Sequence, residues 1–133
     1  MTLDRDNAIW IGTSSYGMMK YDPGKQKFKL YSKDFPSSNP LGYDVGWGAT
    51  IDRNGNYWTG KAEAYGEIVK IDRKSGKIKR YLQDDDPRSW FWNFRKTNDG
   101  MLVWKGYPGR SENFWYKYAY DTDKFTEIDF FKL

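Results

Sequence analysis

Eight side chains are the residues of this sequence best suited to holding a ligand. Seven are large aromatic residues and one is an arginine, and all lie in predicted loops or beside predicted strands. Exposed rings next to polar groups bind carbohydrates and aromatic ligands by stacking and a few directed hydrogen bonds. A chain with 20% aromatic residues also places rings in loops for structural reasons alone. The candidates are Tyr16, Tyr43, Trp47, Tyr65, Trp90, Trp92, Tyr107 and Arg110.

The chain lacks the residue types on which most catalytic and metal sites depend. It contains no cysteine and no histidine, which excludes cysteine nucleophiles, thiolate metal sites and histidine general bases. No glycine-rich phosphate loop or nucleophile elbow is present, and Glu63 and Glu67 have no evident partner. We predict no catalytic residue and no cofactor. If the protein is an enzyme, catalytic residues lie in parts of a larger structure that this chain does not contain.

One acidic run could suggest a calcium site. Asp84, Asp85 and Asp86 are consecutive and precede Pro87. A calcium loop needs oxygen ligands at alternating positions and a glycine at its sharp turn, and this run has neither. We therefore predict a solvated turn and no metal site.

The charge pattern gives little support for nucleic-acid or membrane binding. The formal net charge is +4 and is spread along the chain. Lysines that alternate with apolar residues are typical of the solvated side of a strand or a protected sheet edge. The N-terminal residues Met1 to Trp10 contain no apolar core of signal-peptide length, and no stretch approaches a membrane span of about 20 apolar residues. We predict no nucleic-acid partner and no membrane contact by this segment.

The elements that would position the candidates follow from an internal repeat. Trp-x-Gly tripeptides begin at Trp10, Trp58 and Trp104, and recur 48 and then 46 residues apart. A turn sequence precedes each one, and Asn-Gly, Asp-Gly and Asn7 suit the positive φ angles of tight hairpin turns. Recurrence at a fixed period indicates that the three indoles do the same packing job between neighbouring sheets.

Each repeat predicts four short antiparallel strands. After each tryptophan come a variable loop, a short apolar strand closed by aspartate, a turn, and a strand that begins with lysine and an apolar residue. Residues 47–51 and 92–96 match as strands that open the next unit. The chain is predicted to start at the turn before a second strand, which gives eleven strands in total.

Four antiparallel strands in about 45 to 50 residues, with an aromatic signature, are typical of a β-propeller blade. We predict an all-β fold and a single partial β-propeller over residues 1–133, with repeats at approximately 1–41, 42–87 and 88–133. Propellers close with roughly four to eight blades, so three are incomplete. The predicted partners are the remaining blades of a longer chain or further copies of this one.

The first repeat resembles a known family. Its sequences Asn-Ala-Ile-Trp-Ile-Gly-Thr (residues 7–13), Tyr-Gly-Met-Met-Lys-Tyr-Asp-Pro (16–23) and Lys-Phe to Tyr (27–31) look like the two-component regulator propeller repeat. That repeat builds the periplasmic sensor part of many hybrid histidine kinases. The second repeat, at residues 54–58, 66–72 and 75–78, is also similar to blades of the streptogramin lyase family. Catalysis in that family is associated with histidine, which this chain lacks.

The resemblance implies a ligand-binding or sensory propeller segment in a periplasmic or extracellular location, with carbohydrate as the ligand class it favours. Two alternatives remain open at this stage. One is a fragment of a lyase-like propeller enzyme, and the other is a structural platform for protein interactions. Blade signatures describe how strands turn and pack, so they distinguish poorly between these functions.

Overall fold

The computed structural model describes residues 1–12, 18–31, 48–61, 65–83, 85–106 and 113–129. Over these ranges the protein is all-β, and no helix capable of crossing a membrane is found there. The strands are β1 (Thr2–Leu3), β2 (Ile9–Gly12), β3 (Met18–Asp22), β4 (Lys27–Tyr31), β5 (Ala49–Ile51), β6 (Tyr57–Gly60), β7 (Ile68–Ile71), β8 (Ile78–Tyr81), β9 (Trp90–Lys96), β10 (Gly100–Gly106), β11 (Asn113–Ala119) and β12 (Lys124–Ile128).

Consecutive strands form three four-stranded antiparallel sheets. The first sheet contains β1 to β4, the second β5 to β8 and the third β9 to β12, each in sequence order. None of these sheets closes on itself over the described residues. The predicted all-β class with four-stranded antiparallel units is therefore confirmed. The predicted count of eleven strands is wrong, because Thr2 and Leu3 already pair with Trp10 and Ile9 as a first strand.

Two turns owe their shape to a repeated aspartate. The Asp4 carboxylate accepts hydrogen bonds from the backbone amides of Asp6 (2.9 Å) and Ala8 (3.0 Å). Asp52 accepts the equivalent bonds from Asn54 (2.8 Å) and Asn56 (2.9 Å). In both turns the fourth residue is left-handed, with φ of 59° at Asn7 and 85° at Gly55. The predicted use of Asn7 in place of glycine is confirmed.

The same aspartates fix the first two tryptophans. The indole Nε1 of Trp10 donates to Asp4 (2.8 Å), and that of Trp58 donates to Asp52 (2.9 Å). A buried indole N–H needs such an acceptor. Lysines across the strand pair lie over the rings, with Lys20 Nζ 4.8 Å from the Trp10 centroid and the Lys70 ammonium 5.2 Å from that of Trp58.

The sheets stack front to rear. We call the face that carries Trp10 or Trp58 the front face of its sheet, and the opposite face the rear face. Trp10 stacks on Tyr57 of the second sheet with ring centroids 4.6 Å apart, in a cluster with Ile51, Val69 and Ile71. This rear face of the second sheet thus covers the front face of the first.

The second junction repeats this arrangement. Trp58 is fully buried against the third sheet, with its ring centroid 4.6 Å from that of Tyr118. The rear face of the third sheet adds Met101, Val103 and Phe91 to the same cluster. Burial of large aromatic rings between the sheets is the main stabilising contribution available to such short strands.

The prediction for the third tryptophan is wrong. Cross-strand pairing places Trp10 opposite Lys20 and Trp58 opposite Lys70, and the residue opposite Lys117 is Leu102. Leu102 therefore occupies the tryptophan position in the third sheet. Trp104 lies two residues further along, where the first and second sheets have Gly12 and Gly60.

A shorter turn causes this displacement. In the third turn the Thr97 amide donates a hydrogen bond to the Gly100 carbonyl oxygen (3.0 Å), three residues ahead. In the first turn the Asp4 amide donates to the Ala8 carbonyl oxygen, four residues ahead. Gly100 does not have the positive φ predicted for it, since only Gly55 and Gly76 do among the described glycines. Its lack of a side chain matters because a Cβ there would lie 1.8 Å from the Tyr118 carbonyl oxygen.

Candidate functional site

All three sheets present their tight turns at the same end. Arg5 donates to the Arg53 carbonyl oxygen, which joins the first turns of the first and second sheets. Arg73 pairs with Asp6 (2.9 Å), and the Arg53 guanidinium lies 4.2 Å from the Tyr120 ring centroid. We call this the turn end. The variable segments that follow β2, β6 and β10 leave the sheets at the opposite end, the loop end.

Two of the eight candidate ligand-binding residues, Tyr65 and Trp90, are described at the loop end. Tyr65 is exposed there, and Trp90 begins β9, half-buried and opposite Gly106. The backbone at Trp92 lies in β9 opposite Trp104, and its side chain is outside the description. The remaining candidates lie outside the described residues: Tyr16, Tyr43, Trp47, Tyr107 and Arg110.

Tyr65 lines a cleft of about 320 Å³ on the second sheet. The other lining residues are polar and come from three short segments: Lys61 after β6, Glu67 before β7, and Gln83 with Asp85 after β8. This volume is at the lower end of the range for small-molecule sites. An aromatic ring with carboxylate, amide and ammonium groups around it can stack on one ligand face and hydrogen-bond the ligand edge.

The loop that carries Tyr65 is held in place by hydrogen bonds. The Lys61 amide donates to the Glu67 carbonyl (2.8 Å), and the Gly66 amide donates to the hydroxyl of buried Ser89 (2.9 Å). Gly66 cannot be replaced without movement, since a Cβ would lie 2.8 Å from the Ser89 carbonyl oxygen. The same contact brings the segments of Tyr65 and Trp90 together.

Tyr65 has an unusual backbone conformation. Its φ is 64°, and its side chain is 54% exposed. A bulky residue in the left-handed region is disfavoured, and such strain concentrates at functional positions. Tyr65 therefore combines an exposed ring with a backbone conformation that costs free energy.

Glu67 forms the floor of the cleft. Its side chain is only 6% exposed and pairs with the Arg80 guanidinium. Its second oxygen accepts a hydrogen bond from the Gln83 side chain (3.2 Å). Sequence reasoning found no partner for Glu67, because Arg80 is contributed by a different strand. A buried, paired carboxylate is positioned to accept hydrogen bonds from a ligand without large rearrangement.

A second polar cluster lies between the second and third sheets. Asp123 accepts hydrogen bonds from Tyr81 (2.7 Å), Tyr118, Lys70 (3.2 Å) and Lys79. Burial alone would raise the pKa of Asp123, but these donors outweigh it and hold the pKa below its usual value. Burial, followed by the contact with Asp123, raises the pKa of Tyr81, and the same causes raise the pKa of Tyr118.

This second cluster has the properties of a structural junction. Raised phenol pKa values keep both tyrosines protonated at neutral pH, so neither can serve there as a base. Asp123 stays ionised with four donors in place, which leaves it little capacity for a ligand. A neighbouring cleft of about 420 Å³ is lined by Lys70, Lys77 and Lys79, and two of these lysines already bind Asp123.

Acidic residues do not assemble into a metal site in the part of the chain that the structure describes. Asp86, from the acidic run, accepts hydrogen bonds from the Arg88 amide (2.9 Å) and from its guanidinium (3.1 Å). Asp84 lies outside the described residues. Among the described residues, the carboxylates that line the cleft at the loop end are Glu67 and Asp85.

Comparison with known proteins does not assign this chain to a family. No protein-family model matches the sequence, and no curated protein matches it either. The site must therefore be judged from its own geometry.

Sequence reasoning identified one residue of the cleft and missed four. Tyr65 was a candidate because of its residue type and its predicted loop. Lys61, Glu67, Gln83 and Asp85 were not candidates, and they come from segments separated by up to a full hairpin. The sequence feature that could have identified them is their position beside Gly60, Ile68 and Tyr81. These residues are strand ends, and strand pairing brings them to one edge of the second sheet.

Proposed function

We propose that this chain is a segment of a β-propeller that binds a small polar ligand, carbohydrate by class, as the extracytoplasmic sensing part of a two-component regulator. The observation that carries the proposal is the exposed ring of Tyr65 above a fixed polar floor. The loop of Tyr65 is fixed by Gly66 and Ser89, and the floor by Glu67 and Arg80.

The propeller part of this proposal is supported by the repeated front-to-rear packing. Two successive junctions use the same indole position, with Trp10 packed on Tyr57 of β6 and Trp58 packed on Tyr118 of β11. Adjacent propeller blades would need four-stranded sheets that pack front to rear with their tight turns at one end, so this packing supports the proposal. Propellers carry their binding residues in the loops at one side of the disc, and Tyr65 lies in such a connection, between β6 and β7.

The carbohydrate part is supported by the chemistry of the cleft. A sugar presents an apolar C–H face, which stacks on an aromatic ring, and hydroxyl groups, which need directed donors and acceptors. Tyr65 supplies the ring, Glu67 and Asp85 supply acceptors, and Gln83 and Lys61 supply donors. A predominantly apolar ligand would cover the polar lining of the cleft and offer it no hydrogen bond in place of water.

The experiment is a nuclear magnetic resonance titration of the isotope-labelled chain with a panel of mono- and oligosaccharides. We expect at least one sugar to shift the amide signals of Tyr65, Gly66 and Glu67. Tyr65→Ala should weaken its binding by roughly tenfold or more, equivalent to about 1.4 kcal/mol. Tyr65→Phe keeps the ring and should retain most of the affinity.

Three outcomes would count against the proposal. The panel could leave the cleft signals unchanged, or the sugars could shift only signals at the turn end. Turnover of a lactone or cyclic ester by the chain would instead favour a lyase-like enzyme. Thr122→Ala, an exposed change at the turn end, is the matched control and should bind sugar as the unmodified chain does.

A further inference from the structure

Two apolar sheet faces are uncovered by any other described sheet. They are the rear face of the first sheet and the front face of the third. At both internal junctions a front face packs on a rear face, so these two faces are the unused halves of the same kind of contact. Apolar residues on a sheet face that no described sheet covers indicate an interaction surface.

The rear face of the first sheet is the counterpart of a face that is buried elsewhere in the chain. Cross-strand pairing makes Leu3 equivalent to Ile51 and makes Ile9 equivalent to Tyr57. Ile51 is 7% exposed and Tyr57 is 3% exposed because Trp10 covers them, whereas Leu3 is 59% exposed. Ile9 is half-buried. The same position is core in the second sheet and surface in the first, where no described sheet covers it.

The front face of the third sheet shows the matching difference. Leu102 stands at the tryptophan position, yet it is half-buried where Trp58 is fully buried. Ile128 on β12 is also half-buried and lies opposite Trp115. Leu102 and Ile128 are apolar residues on the face that is covered in the two preceding sheets.

We propose that the front face of the third sheet packs on the rear face of the first sheet of a second copy, and that the reciprocal contact closes a two-chain ring of six sheets. Six lies within the four to eight blades that close a propeller. The contact is head-to-tail, with different patches on the two chains, and such contacts form rings when the rotation closes.

A second copy fits because the internal junctions already show this pairing. The two rear faces that receive a neighbouring front face carry Tyr57 in the second sheet and Met101 in the third, and the first sheet has the apolar Ile9 at the same position. The proposed contact has room for Trp104 if it follows the first junction and not the second, where a Cβ at the equivalent Gly60 would lie 2.1 Å from the Phe91 carbonyl oxygen. Gly12 occupies the equivalent position at the first junction, and a Cβ at Gly12 would meet no described atom within 4 Å.

The first experiment is sedimentation velocity on the full chain over a range of concentrations. We expect a species of twice the chain mass of 15.8 kDa to increase with concentration. A chain that remains a monomer at roughly 100 μM overturns the proposal. A continuing series of larger species also overturns it, because the contact would then not close.

The second experiment places a charge on each face separately. Leu3→Glu changes the rear face, and Leu102→Glu changes the front face. Each variant alone should be monomeric, with a dimer dissociation constant at least tenfold higher than that of the unmodified chain. Thr122→Glu adds the same charge at an exposed turn and should leave the dimer intact.

Mixing the two variants tests the head-to-tail geometry. One unmodified front face and one unmodified rear face remain in the mixture, so a two-chain species should reappear with one contact instead of two. A self-complementary contact between identical faces would give no recovery, and that result would overturn the proposal. Thermal melting checks that each variant folds, and Ile128→Glu on the edge strand replaces Leu102→Glu if that variant unfolds.

Discussion

At the residue scale, repeated side chains do structural work and a single unrepeated one marks the candidate site. Asp4 and Asp52 each accept hydrogen bonds from two turn amides and from an indole, so one carboxylate fixes both a turn and a core residue. Burial alone would raise the pKa of Asp4, but the Trp10 indole and the Ala8 and Asp6 amides lower it below its usual value. Tyr65 has no such role and is exposed.

Asp123 should make stability depend on pH in the acid range. Its folded pKa lies below the ordinary value of 3.8, so its contribution is fully present above that pH and is lost as the pH falls toward the folded pKa. We expect the free energy of unfolding to decrease as the pH is lowered from about 5 to about 2. Asp123→Asn should make this decrease shallower.

Denaturant unfolding at a series of pH values measures this effect. Asp121→Asn is the matched control, because Asp121 is an exposed carboxylate of the same turn whose oxygen accepts a hydrogen bond from the adjacent Thr122 amide. Equal slopes for the unmodified chain and Asp123→Asn would show that the junction network does not control acid stability.

At the element scale, close approach between sheets depends on one glycine. Gly60 ends β6 at the second junction, and a Cβ there would lie 2.1 Å from the Phe91 carbonyl oxygen. Gly12 has the same place in the Trp-x-Gly motif of the first sheet, and no described atom lies within 4 Å of its added Cβ. The glycine of the same motif can therefore accept a side chain in the first sheet but not at the second junction.

Gly60→Ala should destabilise the protein and Gly12→Ala should not. The first change forces β9 away from β6 and costs about 1–3 kcal/mol or more, as other overpacked core positions do. The second should change the unfolding free energy by less than about 1 kcal/mol. Chemical denaturation of both variants measures the difference. A tolerated Gly60→Ala would mean that the two sheets do not approach this closely.

At the scale of the whole molecule, the second sheet has a distinct position. Its rear face buries Trp10 and its front face, through Trp58, packs on the third sheet, so it has two interfaces. The first and third sheets each have one interface with another described sheet. In stacked repeats, stability is approximately a sum of unit and nearest-neighbour contributions.

Hydrogen exchange should therefore be slowest in the second sheet. In dilute monomer we expect amides of β6 and β7 to exchange on the order of tenfold more slowly than those of β2 and β3, or about 1.4 kcal/mol of additional opening free energy. Residues Trp58 and Val69, both fully buried, report on the second sheet. Equal protection in the first sheet would indicate one cooperative unit instead.

Local sequence determined the turns and strands of this protein. Three local signals act over a few positions: a turn sequence before the tryptophan, alternating apolar residues, and strands that begin with lysine. They predicted the all-β class and the four-stranded units. Register was decided only by tertiary structure. The third Trp-x-Gly kept the repeat spacing to within two residues, yet a turn shortened by one residue placed Leu102 at the indole position and Trp104 at a glycine position.

The candidate cleft also depended on tertiary structure. Tyr65 was predictable from its type and loop, whereas Glu67, Gln83 and Asp85 lie in separate segments that meet only when β6, β7 and β8 pair and Ser89 fixes the Gly66 loop. Turn and strand preferences are properties of a few neighbouring residues. Sheet register and the convergence of distant loops are properties of the packed molecule, so no local pattern specified them.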